Sequence, residues 1–171
     1  IGLHCAKILL EKGYTVVGTV RSTKTEEEVI KTLNSNSFSI ENLSFARLDL
    51  NSDDGWDAAL TDYDFVMHLA SPFTIENPKN DSDMLAPAID GTLRVLKSAK
   101  KNKVKRVVLT SSTVAIMGGR KTGVITPEDW TDLESKNLNT YFKSKTLAEQ
   151  AAWDFIKNQS GDHKLELVSI N

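Results

Sequence analysis

Arg106-Val107-Val108-Leu109-Thr110-Ser111-Ser112 is a β-branched, mostly apolar run that ends on three hydroxyls. Such residues favour the pleated, half-buried surface of a sheet, and residues 106–112 are predicted as a strand. Residues 82–101 before it carry the apolar period of a long helix, in which Pro87 is expected to open the regular part or kink it. Earlier still, the apolar run 65–69 reads as a strand broken by Ser71-Pro72. A loop-rich stretch, 113–138, contains Gly118-Gly119 and leads to a helical pattern over 139–158 and a last strand over 165–170. Strands alternating with helices in this way predict an α/β fold with a doubly wound parallel sheet.

The first third of the chain repeats the alternation. Residues 1–12 read as a helix with Ile1, Cys5 or Ala6, Ile8 and Leu9 inward, closed by Gly13 as a left-handed cap. A strand is predicted over 14–20, then a helix over 25–33, capped by Thr23 or Thr25 with three glutamates in its first turn. The polar segment 34–42 is a connection, 43–48 a short strand, and Ser52 or Asp53 caps a brief helix reaching Leu60. Helix precedes strand at the start, and Asn171 directly follows the last strand. The expectation is therefore a fragment: residues 1–171 form part of one domain that lacks its first strand and a carboxyl-terminal, substrate-binding region.

Composition narrows the function. The 171 residues include 21 basic and 23 acidic side chains, a net charge of -2 that provides no field for nucleic acid or an anionic membrane. The lysines at 97, 100, 101, 103 and 105, with Arg106, gather at a helix end, where they complement the dipole. Trp56, Trp130 and Trp153 are spaced for packing and form no platform for bases. The single Cys5 excludes a disulfide within these residues and is expected as a packed thiol. With no apolar run of membrane-spanning length, the reading is a soluble, cytoplasmic protein without a metal site, its oligomeric state open.

Chemistry concentrates at Tyr141 and Lys145, one helical turn apart. A phenol with a pKa near 10 is a poor proton donor at neutral pH unless it is tuned. A cation four residues along the helix favours the phenolate and lies on the same face. Ser112, at the carboxyl end of its predicted strand, stands where an open parallel sheet presents a group to a ligand. Together these types suit hydride transfer to a carbonyl, with Ser112 orienting the oxygen and Tyr141 supplying the proton. Against it stands the plainer reading of a surface Tyr/Lys pair; the stripe Tyr141, Lys145, Ala148, Ala152, aromatic and cationic and then small, favours a helix lying on a cofactor and a sheet. Ser111 is the weaker serine candidate. His68, inside an apolar strand, is read as a satisfied core residue.

With these motifs in view, the chain resembles the extended short-chain dehydrogenase/reductase superfamily, specifically its dihydroflavonol 4-reductase-like carbonyl reductases. Gly2 in Ile1-Gly2-Leu3-His4 is similar to the third glycine of that family's phosphate loop, and residues 13–21 resemble the segment ending its second strand. Leu48-Asp49-Leu50 resembles the stretch flanking the adenine, and residues 66–72 the fourth-strand motif. The resemblance implies a Rossmann-like, NAD(P)-binding domain and a catalytic set of Ser112, Tyr141 and Lys145. It further implies that Gly2, Arg21, Lys24, Asp49, Leu50, Leu69, Ala70, Ser71, Tyr141 and Lys145 contact the cofactor. Arg21 stands where NAD-specific relatives carry an acid, so the likeness implies NADP(H), its 2′-phosphate gripped by a guanidinium.

The implied activity is the NADPH-dependent reduction of a small-molecule ketone or aldehyde to an alcohol. A nucleotide-sugar epimerase or dehydratase of the same superfamily is the nearest rival. Those enzymes typically carry Asn three residues before Gly-Thr in the long middle helix, where this chain has Ala88 before Gly91-Thr92. A non-catalytic NADP-sensing protein is the rival of another class, and the Tyr141/Lys145 pair argues against it.

Overall fold

A computed structural model describes residues 1–35, 38–74, 77–119, 123–136 and 138–171. Parts of two predicted connections, residues 36–37 of the segment 34–42 and residues 120–122 and 137 of the segment 113–138, lie outside the described residues. The chain divides into two compact units, Ile1–Ala59 and Leu60–Asn171, each taken by itself below.

In the first unit, helix α1 (Gly2–Glu11) leads to strand β1 (Val16–Val20), helix α2 (Thr23–Ser35), strand β2 (Leu43–Arg47) and the single turn α3 (Trp56–Ala59). β1 and β2 pair in parallel, Val16 opposite Leu43 and Val20 opposite Arg47. Gly13 closes α1 at φ 81°, the left-handed conformation that glycine adopts without steric cost. The apolar stripe expected to face inward on α1 is not buried: Ile1 is 82% and Ile8 49% exposed, and Cys5 is half-buried. A two-stranded pair offers too little apolar surface to cover a whole helix face. Its core is Val20, Leu33, Leu48 and Trp56, whose indole N–H donates to Ser52 O at 2.9 Å.

The cap of α2 differs from both residues expected. Ser22 Oγ accepts from Thr25 N at 3.3 Å, so the helix starts two residues earlier and only Glu26 remains in its first turn. The shift follows from the general preference for serine at a helix entry, which the two neighbouring threonines obscured.

In the second unit, β3 (Phe65–His68), β4 (Arg106–Thr110) and β5 (Glu166–Ile170) form a parallel sheet in the order β3-β4-β5. Helix α4 (Ser82–Lys101) links β3 to β4 and runs unbroken past Pro87; the turn α5 (Val114–Met117) and helix α6 (Thr140–Lys157) link β4 to β5. Such helical crossovers are what parallel strands require. Val95, Leu96 and Ala99 of α4 meet Val104, Val107, Ala152 and Leu165 in a core where each is at most 1% exposed. The apolar run forms β3, but its two sides differ: Phe65 is 56% and Met67 39% exposed while His68 is buried. One face of the strand is therefore covered.

The strands group as a parallel pair in the first unit and a parallel triplet in the second. The fold is α/β with parallel, Rossmann-like strand and helix succession.

Candidate active site

Two elements of the second unit, the end of β4 and helix α6, position the predicted catalytic side chains. β4 ends at Thr110, two residues short of the prediction, because the chain turns into α5; Ser111 N still donates to Ile170 O at 2.9 Å. Ser112 follows, half-buried, its Oγ accepting from Val114 N at 3.3 Å. That contact uses a lone pair and keeps the hydroxyl proton for another acceptor. Ser111 differs: it is 7% exposed and its hydroxyl donates to Glu149 Oε2 at 2.5 Å. Of two adjacent serines, one is committed to the helix behind it and the other carries a disposable proton.

α6 supplies Tyr141 and Lys145. Its first turn is set by Asn139, whose side chain accepts from Phe142 N at 2.9 Å, and Thr140 donates to Asp81 Oδ1 at the head of α4. The Tyr141 ring meets Phe73 edge-on, centroids 5.2 Å apart at 84°. Lys145 is 8% exposed, and its Nζ donates to Thr110 O at 3.1 Å. Burial lowers its pKa from the ordinary lysine value, and the Glu149 carboxylate one turn on acts in the opposite sense. An ammonium has three protons; among the described residues Thr110 O is the single hydrogen-bond acceptor of this one.

A narrow pocket at the carboxyl end of β3 and β4 is lined by His68, Ala70, Ser71, Thr110, Lys145 and Glu149, among others. It brings two of the three predicted residues after β3, Ala70 and Ser71, together with Lys145. Leu69, half-buried, lies between them and β3. A wider groove between α4 and α6, lined by Leu93, Lys97, Lys100 and Phe155, contains none of the predicted site residues.

The remaining predicted cofactor residues belong to the first unit. Gly2 is the exposed first residue of α1, Arg21 follows β1, and Lys24 lies in the first turn of α2, both cations exposed. Asp49 follows β2, half-buried, and its Oδ1 accepts from Asn51 N at 2.8 Å and Asn51 Nδ2 at 3.2 Å. It thus makes a local Asx turn, with Leu50 half-buried beside it.

Sequence reasoning missed Glu149 and Phe73. Glu149 had a signal, since it continues the i, i+4 spacing of Tyr141 and Lys145 onto the buried face; Phe73 had none, because its contact with Tyr141 spans a long stretch of chain. No group of three or more His, Cys, Asp or Glu side chains that could hold a metal occurs among the described residues. No helix among them is long and apolar enough to cross a membrane.

Parallel strands, helical crossovers and polar groups at the carboxyl ends of the strands place the chain in the Rossmann-like class. The model of the NAD dependent epimerase/dehydratase family matches residues 1–165, and the chain belongs to that family. Among characterised relatives, anthocyanidin reductase of Vitis vinifera is 39% identical over 175 residues, covering 96% of this chain and 49% of the relative. Dihydroflavonol 4-reductase of Dianthus caryophyllus is 37% identical over 180 residues, covering 99% and 48%. Among solved structures, Gre2 of Candida albicans in complex with NADPH superposes with a TM-score of 0.83 at 35% identity, covering 98% of this chain and 53% of that one. The chain thus spans about half the length of the relatives it matches.

Proposed function

We propose that residues 1–171 are part of one NAD(P)-binding, Rossmann-like domain of a cytoplasmic oxidoreductase that uses NADPH to reduce a ketone or aldehyde to an alcohol. The observation that carries the reading is Lys145: a buried ammonium, held by one backbone carbonyl at the strand ends, one turn from a tyrosine and facing a narrow pocket. The reductase relatives and the NADPH-bound structural neighbour support it.

The donor set fits a nicotinamide dinucleotide. Lys145 has protons to spare for ribose hydroxyls, the backbone of Leu69, Ala70 and Ser71 offers contacts along the pocket, and Arg21 with Lys24 offers exposed cations for a 2′-phosphate. Gly2, Asp49 and Leu50 complete the binding set. When bound, the dinucleotide supplies the hydride that reaches the carbonyl carbon.

The chain's own residues handle the oxygen and the proton. Ser112 donates its hydroxyl proton in a hydrogen bond that aligns the carbonyl oxygen. As negative charge develops there, Tyr141 transfers its phenolic proton, the O–H bond breaking as the alcohol O–H forms. The Lys145 ammonium stabilises the phenolate left behind, which regains its proton from solvent. Low local dielectric strengthens this last interaction.

The test is a turnover screen of the full-length protein against aliphatic, aromatic and flavonoid carbonyls with NADPH and with NADH. NADPH is expected to be preferred, and Arg21→Glu should shift preference toward NADH by on the order of tenfold or more in kcat/KM. Tight binding of a nucleotide sugar with tightly held NAD, and no carbonyl reduction, would favour the epimerase reading instead.

A further inference from the structure

Glu149 is the charged group whose burial the proposed reaction does not explain. It lies one turn beyond Lys145 on α6 and is 4% exposed. Three donors converge on its carboxylate from different parts of the unit: Ser111 Oγ after β4, Trp153 Nε1 on α6 at 3.2 Å, and Asn171 Nδ2 after β5 at 2.7 Å. The same Asn171 nitrogen reaches Ser112 O at 3.3 Å. A buried carboxylate is costly even when its oxygens are satisfied, and an apolar side chain on this helix face would avoid that cost.

Its partners show what the carboxylate does. Three consecutive residues after and at the end of β4 are gripped in turn: Thr110 O by Lys145, the Ser111 hydroxyl by Glu149, and Ser112 O by Asn171, itself held on Glu149. The peptide planes on either side of the Ser111–Ser112 pair, 110–111 and 112–113, are thereby held against the helix that carries Tyr141 and Lys145. We propose that Glu149 is a positioning residue for the reduction, a clamp that sets the Ser112 hydroxyl relative to Tyr141 and Lys145 by holding Ser111 and Asn171 on one carboxylate. The proposal rests on the roles given to Ser112, Tyr141 and Lys145 above. Titratable groups around Lys145 are Tyr141 and Glu149 on its own helix and His68 at the end of β3.

Glu149→Gln, Glu149→Asp and Ser111→Ala in the full-length protein test it. Glu149→Gln keeps size and an acceptor for Trp153 but removes the anion and one acceptor oxygen. It should lower kcat by about tenfold or more while NADPH affinity changes by less than about threefold, since a small misplacement at the reacting centre is enough to cost that rate. The alkaline limb of kcat/KM should move to lower pH, because Lys145 loses its proton more readily without the neighbouring anion. Glu149→Asp should recover part of both effects. Independently of turnover, amide exchange over residues 110–114 should accelerate in Glu149→Gln while that of α4 stays unchanged. Should Glu149→Gln fail to fold, Ser111→Ala, which keeps the carboxylate, serves the same comparison. Wild-type rates of reduction and of exchange over 110–114 in these variants would overturn the clamp alone; absence of carbonyl turnover in the wild type would overturn the reading of the site, leaving the exchange measurement to decide the clamp.

Discussion

His68 ends β3 at 6% exposure, with its Nε2 3.3 Å from Thr92 Oγ1. Because Thr92 Oγ1 already donates to Ala88 O at 2.8 Å, the ring nitrogen is the donor of the pair. Burial, together with the ammonium of Lys145, pushes the imidazole from 6.5 down to about 4. Between those values the unfolded chain binds a proton that the folded one refuses, so stability rises with pH through this window and is lost as pH falls through it. Between about pH 7 and about pH 5 the loss is on the order of 2 kcal/mol. Urea unfolding at the two pH values measures it, and His68→Gln should flatten the dependence; an equally steep dependence in the variant would contradict the assignment. The core role of His68 was legible from its place in an apolar strand. The division of labour between Ser111 and Ser112 was not, since neighbours on an extended chain point to opposite sides and the sequence does not say on which side α6 lies.

The connection from β4 to α6 shows how a segment read as loop acquires order. Thr131 Oγ1 donates to Val114 O and accepts from Gly118 N at 2.7 Å, while Thr131 N and Asp132 N bond Ala115 O and Gly118 O at 2.9 and 3.0 Å. Residues 131–132 are thereby stitched onto α5 and Gly118. A Cβ on Gly118 would stand 2.5 Å from Thr131 Cγ2 and 2.9 Å from the Phe142 ring, closer than packed atoms allow. Gly118→Ala should therefore destabilise the protein by about 1–3 kcal/mol, the usual range for overpacking, as read by chemical denaturation; an unchanged midpoint would show that the stitch is not rigid. Long elements were plain in the sequence: α4 occupies Ser82–Lys101, the predicted span, because its apolar period is unbroken. α5 is a single turn of four residues, too short to show a period, and hid within the predicted loop.

For the chain as a whole, the alternation of strand and helix foretold parallel pairing, and both sheets are parallel. The open faces did not follow from the apolar pattern. The pattern marks which residues can be buried; which are buried depends on how much surface opposes them, and Ile8, Phe65 and Met67 keep much of theirs. Site residues separated similarly. Tyr141, Lys145 and Ser112 could be proposed from the sequence because the proposed chemistry requires particular residue types at particular places, while Glu149 draws its partners from residues 111, 153 and 171 and only the fold reveals them. The central claim is that a lysine-tuned phenol supplies the proton. Tyr141→Phe in the full-length protein tests it most directly, by NADPH titration and carbonyl turnover on the same sample. The account predicts an NADPH dissociation constant within about threefold of wild type and reduction slowed by about a hundredfold or more; reduction at the wild-type rate with the phenol gone would contradict it.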